Sequence, residues 1–187
     1  MSDRRLRGIL YRWRVRAGTP ALVGALVLAR PNWESLATGV ILGLLGLCLR
    51  AWAAGHLRKE KELAVSGPYR FTRNPLYLGT ILIAAGMASA ARSWGAAALL
   101  AGYLAVFYPA IIWEERDRMR ALFPKAYEAY ERDVPLFLPV PGRTGAGSGA
   151  RFDGTLFRKN KELRAVLGTV AFWGLLLLKM LFVRWPL

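Results

Sequence analysis

Gly67-Pro68-Tyr69-Arg70-Phe71-Thr72-Arg73-Asn74-Pro75-Leu76-Tyr77-Leu78-Gly79 carries the chain from a charged loop into a long apolar run. The stretch predicts a helix start: Asn74 can cap it, and Pro75 fits the first turn, whose amides need no intrahelical partner. Such an end presents N–H groups and a positive dipole, and favours a carboxylate or phosphate. Arg73 adds a bidentate anion fork, and Tyr69, Phe71 and Tyr77 add aromatic faces. Alone, these residues also fit a capped helix with interfacial tyrosines and an arginine on lipid phosphate.

Outward from it lie apolar runs at Leu36 to Gly55, Leu76 to Ala91, Gly95 to Trp113 and Val166 to Val183, each near the ~20 residues a bilayer needs. They predict transmembrane helices. A fifth run, Thr19 to Ala29, is about 17 Å long as a helix and spans only by borrowing the Arg-rich turn before it or by thinning the bilayer. The six arginines of residues 1–19, with Val27-Leu28-Ala29 after them, also resemble a signal peptide. Their charged region is long for a signal, and Leu6 to Val15 reads as an amphipathic helix on the membrane surface.

The expected fold is all-α: a polytopic transmembrane helical bundle of about five spans with cytosolic amphipathic helices. Residues 1–19 form a basic amphipathic helix, 20–140 the membrane core, 141–150 a flexible linker, and 151–187 a cytosolic segment with the last transmembrane helix. Gly39, Gly43 and Gly46 inside one span fit close helix packing.

Composition agrees. The 187 residues are 55% hydrophobic with mean hydropathy +0.27, which removes a disordered chain and an ordinary soluble domain. One cysteine, Cys48, and one histidine, His56, exclude an intrachain disulfide framework, a CxxC pair and a multi-histidine metal site, and no metal is expected. Of 27 Lys+Arg, 22 fall in residues 1–19, 56–74 and 114–165. By the positive-inside rule these segments, and the N-terminus, face the cytosol. The net charge of +15 therefore follows membrane sidedness, and no nucleic-acid partner is expected. Arg50 and Lys179 lie within spans near an end and can snorkel.

A second stretch runs from Trp113-Glu114-Glu115-Arg116 through Phe123-Pro124-Lys125-Ala126-Tyr127-Glu128-Ala129-Tyr130 to Val134-Pro135 and Pro139. The hairpin of the third and fourth spans puts Glu114 and Asn74 on one membrane face, where Arg73 can meet a glutamate. Tyr127 and Tyr130, three apart, share one side of a short helix.

Together the two stretches resemble the isoprenylcysteine carboxyl methyltransferase and phospholipid methyltransferase family of integral membrane enzymes. The first half of that pattern matches at Gly67, Pro68, Tyr69, Arg73, Asn74, Pro75, Tyr77 and Gly79. In the second half, spacing from Phe123, Tyr127 and Tyr130 puts Glu115 where the family's first glutamate falls, and Pro124 replaces a glycine. Either Glu114 or Glu115 can therefore be the residue that faces the site.

The resemblance implies S-adenosylmethionine as methyl donor, S-adenosylhomocysteine as product, and a lipophilic acceptor entering from the bilayer. It implies a multi-pass protein of a bacterial inner membrane, or of an endoplasmic reticulum equivalent, with a cytosolic site. Arg73, Asn74 and Pro75 at the helix start would hold the cofactor's carboxylate end. Tyr69, Tyr77 and Gly79, with Leu63, Val65 and Gly67, would line the pocket. Glu114 or Glu115 would contact the cofactor or position Arg73, and Tyr127 and Tyr130 would help close the lid.

The acceptor reading closest to the resemblance is O-methylation of an isoprenylcysteine carboxyl group; the alternative is N-methylation of an aminophospholipid, for which a glutamate or His56 would take a proton. The non-enzyme alternative is a small helical scaffold or transporter subunit, against which the scarcity of ionisable residues in mid-span argues. No Gly-rich turn follows a strand pattern, as a soluble-type methyltransferase would need.

Overall fold

The computed structural model describes residues 2–59, 61–140, 145 and 149–183, and every regular element among them is helical. In chain order these are α1 (Ser2–Leu28), α2 (Trp33–Ala54), a 3₁₀ turn (Gly67–Arg70), α3 (Pro75–Ala91), α4 (Trp94–Leu122), α5 (Pro124–Asp133), α6 (Gly154–Lys159) and α7 (Leu163–Phe182). Among the described residues, α2, α4 and α7 are long and apolar enough to cross a membrane, and α3 is a shorter apolar helix. The chain is built as a helical membrane bundle.

The N-terminal region differs from expectation. The basic surface helix and the short apolar run are one unbroken helix, α1, which passes through Pro20. Its apolar end buries Ala25 in the core that α2, α3, α4 and α7 share, and Ala21 is buried as well. Packing against α4 supplies the tertiary support that keeps a charged, proline-containing segment helical.

Glycines set the closeness of the α2–α3 pair. A Cβ on Gly39 would lie 2.4 Å from the Gly86 carbonyl oxygen, and one on Gly46 2.5 Å from that of Gly79, so the two backbones touch. Gly43 instead admits the Trp173 ring of α7. The outer turns are short, as expected. Asn32 and Ser35 form a reciprocal cap on α2, Arg92 takes a left-handed conformation (φ 46°), and Ser93 caps α4.

Two cations near span ends have partners within the protein. Arg50 forms a paired contact with Glu162 through Nε and Nη2, at 2.9 and 2.8 Å, and its Nη1 donates to Thr80 and to the Leu76 carbonyl. Lys179 donates to the carbonyls of Leu26 and Val27 at the end of α1. Most of the expected linker (141–144 and 146–148) and Arg184 lie outside the described residues. Gly145 is tied down: it exchanges hydrogen bonds with Arg70, N to O at 2.9 Å and Nε to O at 3.2 Å.

Candidate functional site

The loop end of the bundle holds a polar cavity of about 730 Å³, a size typical of small-molecule sites. Leu63, Tyr69, Arg73, Asn74, Tyr77, Glu114, Glu115, Tyr127 and Tyr130 line it, so the structure brings together residues drawn from both sequence stretches. Val65, Gly67, Pro75 and Gly79 are not among its lining residues. Val65 packs on the Tyr127–Tyr130–Val134 cluster, and Pro75 is buried at the first turn of α3. Gly79 lies against Gly46 and Arg50 of α2. Gly67 takes φ +57° with its Cα against the His56 ring, a place where any side chain would collide.

Asn74 and Pro75 start α3 as the sequence predicts, but the Asn74 side chain makes no cap. Its Nδ2 donates to the Leu136 carbonyl at 3.0 Å, Thr72 Oγ1 donates to the same oxygen at 3.3 Å, and Arg73 N donates to Pro135 O at 2.9 Å. The helix start is thus sewn to the segment after α5, and Asn74 serves that seam.

The glutamate that Arg73 meets is neither Glu114 nor Glu115. Arg73 Nη1 donates to Glu131 Oε1 at 2.6 Å, Arg120 Nη2 donates to Oε2 at 2.6 Å, and Arg116 Nε lies 3.1 Å from Oε1. Glu131 is one carboxylate among three guanidinium groups. Burial works to raise its pKa, but the hydrogen bonds from Arg120 and Arg73 and the charge of Arg116 outweigh this and hold it below the ordinary value. Its sequence signal is its place on the Tyr127 face: Tyr127, Tyr130 and Glu131 fall at i, i+3 and i+4.

Between the two adjacent glutamates, Glu115 accepts a 2.5 Å hydrogen bond from the Tyr77 hydroxyl, while Glu114 lines the same cavity. Tyr127 and Tyr130 are buried with ring centroids 6.2 Å apart, and the Tyr130 hydroxyl donates to Tyr69 O at 2.7 Å, fastening α5 over the 3₁₀ turn. Burial raises the pKa of Tyr69, Tyr127 and Tyr130, so these phenols stay protonated. The break between α4 and α5 falls at Phe123, with Pro124 opening α5. His56 is outside the lining: its Nδ1 is 2.9 Å from Ser66 Oγ, and burial lowers its pKa.

A second, apolar cavity of about 490 Å³ lies between α3 and α4, lined by Ile81, Ala101, Leu104, Ala105, Tyr108, Pro109, Trp113, Leu136 and Phe137 among others. Arg73, Ile112 and Arg116 line both cavities. The Nε of Arg73 is buried without a hydrogen-bond partner, while that of Arg116 lies against Glu131 Oε1. One unsatisfied cationic donor therefore sits on the wall where the polar and apolar spaces meet, a place that favours an acceptor oxygen. Tyr11 and Arg14 of α1 also line the polar cavity, and nothing in the motif-centred reading pointed to them.

The pattern of the phospholipid methyltransferase family matches residues 22–126, more than half of the chain. The chain belongs to this family. Glu131 lies beyond the matched region. Two curated relatives are the nickel-cobalt-cadmium resistance protein NccN of Alcaligenes xylosoxydans xylosoxydans and the cobalt-zinc-cadmium resistance protein CzcN of Cupriavidus metallidurans. NccN is 32% identical over 136 residues, covering 68% of this chain and 62% of NccN. CzcN is 32% identical over 149 residues, covering 73% of this chain and 68% of CzcN. The chain thus spans about two thirds of the length of these relatives. No solved structure matches this family member.

Proposed function

We propose that the protein transfers a methyl group from S-adenosylmethionine to a lipophilic acceptor that enters from the bilayer. The observation that carries this reading is the shared wall: a polar cavity and an apolar cavity meet at Arg73, Ile112 and Arg116. The polar cavity suits the donor, with the α3 start, the Tyr69 and Tyr77 rings and the Glu114 and Glu115 carboxylates around it. When bound, S-adenosylmethionine supplies an electrophilic methyl group on a sulfonium. The chain's own work is alignment and exclusion of water: Tyr127 and Tyr130 hold α5 over the 3₁₀ turn, and Glu115 fixes Tyr77. The excess of Lys and Arg in the loops around this cavity supports a cytosolic site.

An acidic acceptor, as in O-methylation of a lipidated carboxylate, fits best. The unpartnered Nε donor of Arg73 on the shared wall supports it, and a carboxylate needs no base to lose a proton. N-methylation of an aminophospholipid is the second reading, supported by the family match and by Glu115 as a proton acceptor. Among the described residues, no three His, Cys, Asp or Glu side chains come together to hold a metal ion. A part in metal resistance, the role named for the two relatives, would then run through a methylated membrane component.

The test incubates the purified protein in nanodiscs with S-adenosylmethionine carrying a labelled methyl group, offering a farnesylcysteine analogue or phosphatidylethanolamine. Label on the prenylcysteine carboxyl group supports the first reading, and label on the lipid amine the second. A folded protein that neither binds S-adenosylmethionine nor labels any lipid-soluble acceptor sinks both.

A further inference from the structure

Resting on the methyl-transfer reading, we propose that α1 supplies the polar cavity with an anion subsite, Arg14 seated on Tyr11, that takes a carboxylate or phosphate oxygen of the ligand. Both residues line the cavity, and both lie ahead of the region that matches the family. The Arg14 guanidinium carbon sits 3.8 Å from the Tyr11 ring centroid, and Nη1 donates to the Tyr11 carbonyl at 2.9 Å. That double contact presets the side chain, so binding a ligand costs it little rotamer freedom.

The helix that carries the subsite is itself held in place. The Tyr103 hydroxyl of α4 donates to Arg14 O at 2.9 Å, and Gly18 leaves room for that hydroxyl. Nearer the N-terminus, Arg7 Nη1 donates to Asp117 Oδ2 at 3.3 Å. These contacts hold α1 against α4 with Arg14 at the cavity.

Charge accounting sets Arg14 apart from Arg73 and Arg116, which line the same cavity. Arg73 and Arg116 both face Glu131, so the anion fork that the sequence assigns to Arg73 is already engaged by a carboxylate. The contacts of Arg14 are a carbonyl and an aromatic face, both uncharged, which leave Nε and Nη2 for an anionic oxygen. Two sources carry that chemistry: the amino-acid carboxylate of the methyl donor and the headgroup of an anionic lipid.

Calorimetry on the full chain in nanodiscs tests this with wild type, Arg14→Gln, Arg14→Lys and, as a control on an exposed side chain of the same helix, Arg12→Gln. The probes are S-adenosylmethionine, decarboxylated S-adenosylmethionine, and short-chain phosphatidic acid against the matching diacylglycerol. A donor carboxylate at Arg14 makes Arg14→Gln bind S-adenosylmethionine about tenfold or more weakly, with partial recovery in Arg14→Lys and no change for the decarboxylated probe. A headgroup at Arg14 moves the same loss to phosphatidic acid and spares the diacylglycerol. Equal affinities of wild type and Arg14→Gln for all four probes overturn the subsite, as does an equal loss in Arg12→Gln. A folded wild type that ignores S-adenosylmethionine but loses phosphatidic acid on Arg14→Gln overturns the methyl-donor reading while keeping the subsite.

Discussion

Arg73 and Glu131 are 58 residues apart in sequence and meet at 2.6 Å, tying the start of α3 to α5. Removing the carboxylate with Glu131→Gln leaves Arg73, Arg116 and Arg120 facing one another without a counter-charge. Breaking a largely buried pair from one side costs on the order of 3 kcal/mol. The expected outcome is a lower thermal midpoint in detergent and at least a tenfold loss of S-adenosylmethionine affinity. An unchanged midpoint with unchanged binding removes Glu131 from the site.

The same group sets an acid limit. Glu131 has a folded-state pKa below its ordinary 4.5, so its contribution to stability is complete above that value and is lost as pH falls through the folded value. Thermal midpoints measured from pH 7 down to 3 should drop more steeply in wild type than in Glu131→Gln, with the difference confined to pH below about 4.5. Parallel curves for the two proteins would show that this carboxylate does not drive the acid response.

Tyr77 and Glu115 give a way to rank the adjacent glutamates. Glu115→Gln weakens a charge-assisted hydrogen bond and Tyr77→Phe removes it, so each should weaken S-adenosylmethionine binding by roughly tenfold. Glu114→Gln, which keeps that bond, should have the smaller effect. Titration of the three variants reads the order directly.

Gly39 tests the packing. Gly39→Ala places a methyl group within 2.4 Å of a backbone oxygen and 2.5 Å of the Ala90 Cβ, where neither neighbour is a flexible side-chain tip. Overpacking of this kind costs about 1–3 kcal/mol. Gly174→Ala, with nothing within 4 Å of the added Cβ, is the matched control and should leave the thermal midpoint in place.

Arg50 and Glu162 form a pair whose side chains are 19% and 7% exposed, so solvent does little to screen them. Glu162→Leu alone leaves a buried guanidinium and should destabilise by about 3–5 kcal/mol, whereas Arg50→Met with Glu162→Leu should recover most of that loss. Limited proteolysis between α6 and α7 provides the readout, with faster cleavage expected in the single variant only.

Much of the bundle was legible because its signals are local. Apolar run length marked α2, α3, α4 and α7, the Asn74-Pro75 pair marked the start of α3, and the three-residue spacing of Tyr127 and Tyr130 put both on one buried face. Gly39 and Gly46 announced a close helix pair, though not its partner. What stayed hidden depends on contacts across long stretches of chain. Glu131 looks like one more charge on a solvated helix until α5 folds over Arg73. Arg50 looks like a snorkelling residue until Glu162 arrives from 112 residues away. Asn74 has the side chain of a cap, but a carbonyl across the seam competes for it and wins. Tyr11 and Arg14 carry no motif; only the docking of α1 on α4 brings them to the cavity.

The Arg50–Glu162 pair also bears on the order in which the protein can be built. Synthesis places α2 in the membrane long before Glu162 leaves the ribosome, so the nascent hairpin carries a cation whose counter-ion does not yet exist. A lone guanidinium in hydrocarbon is costly, which favours a half-made chain kept beside the insertion machinery or with Arg50 at the water boundary. Arrival of the last helix neutralises that charge, brings the Asn160 amide to the carbonyls of Ala54 and Leu57, and lets Lys179 close the end of α1. Docking of the last helix is thus the step at which the buried charge of the bundle is balanced.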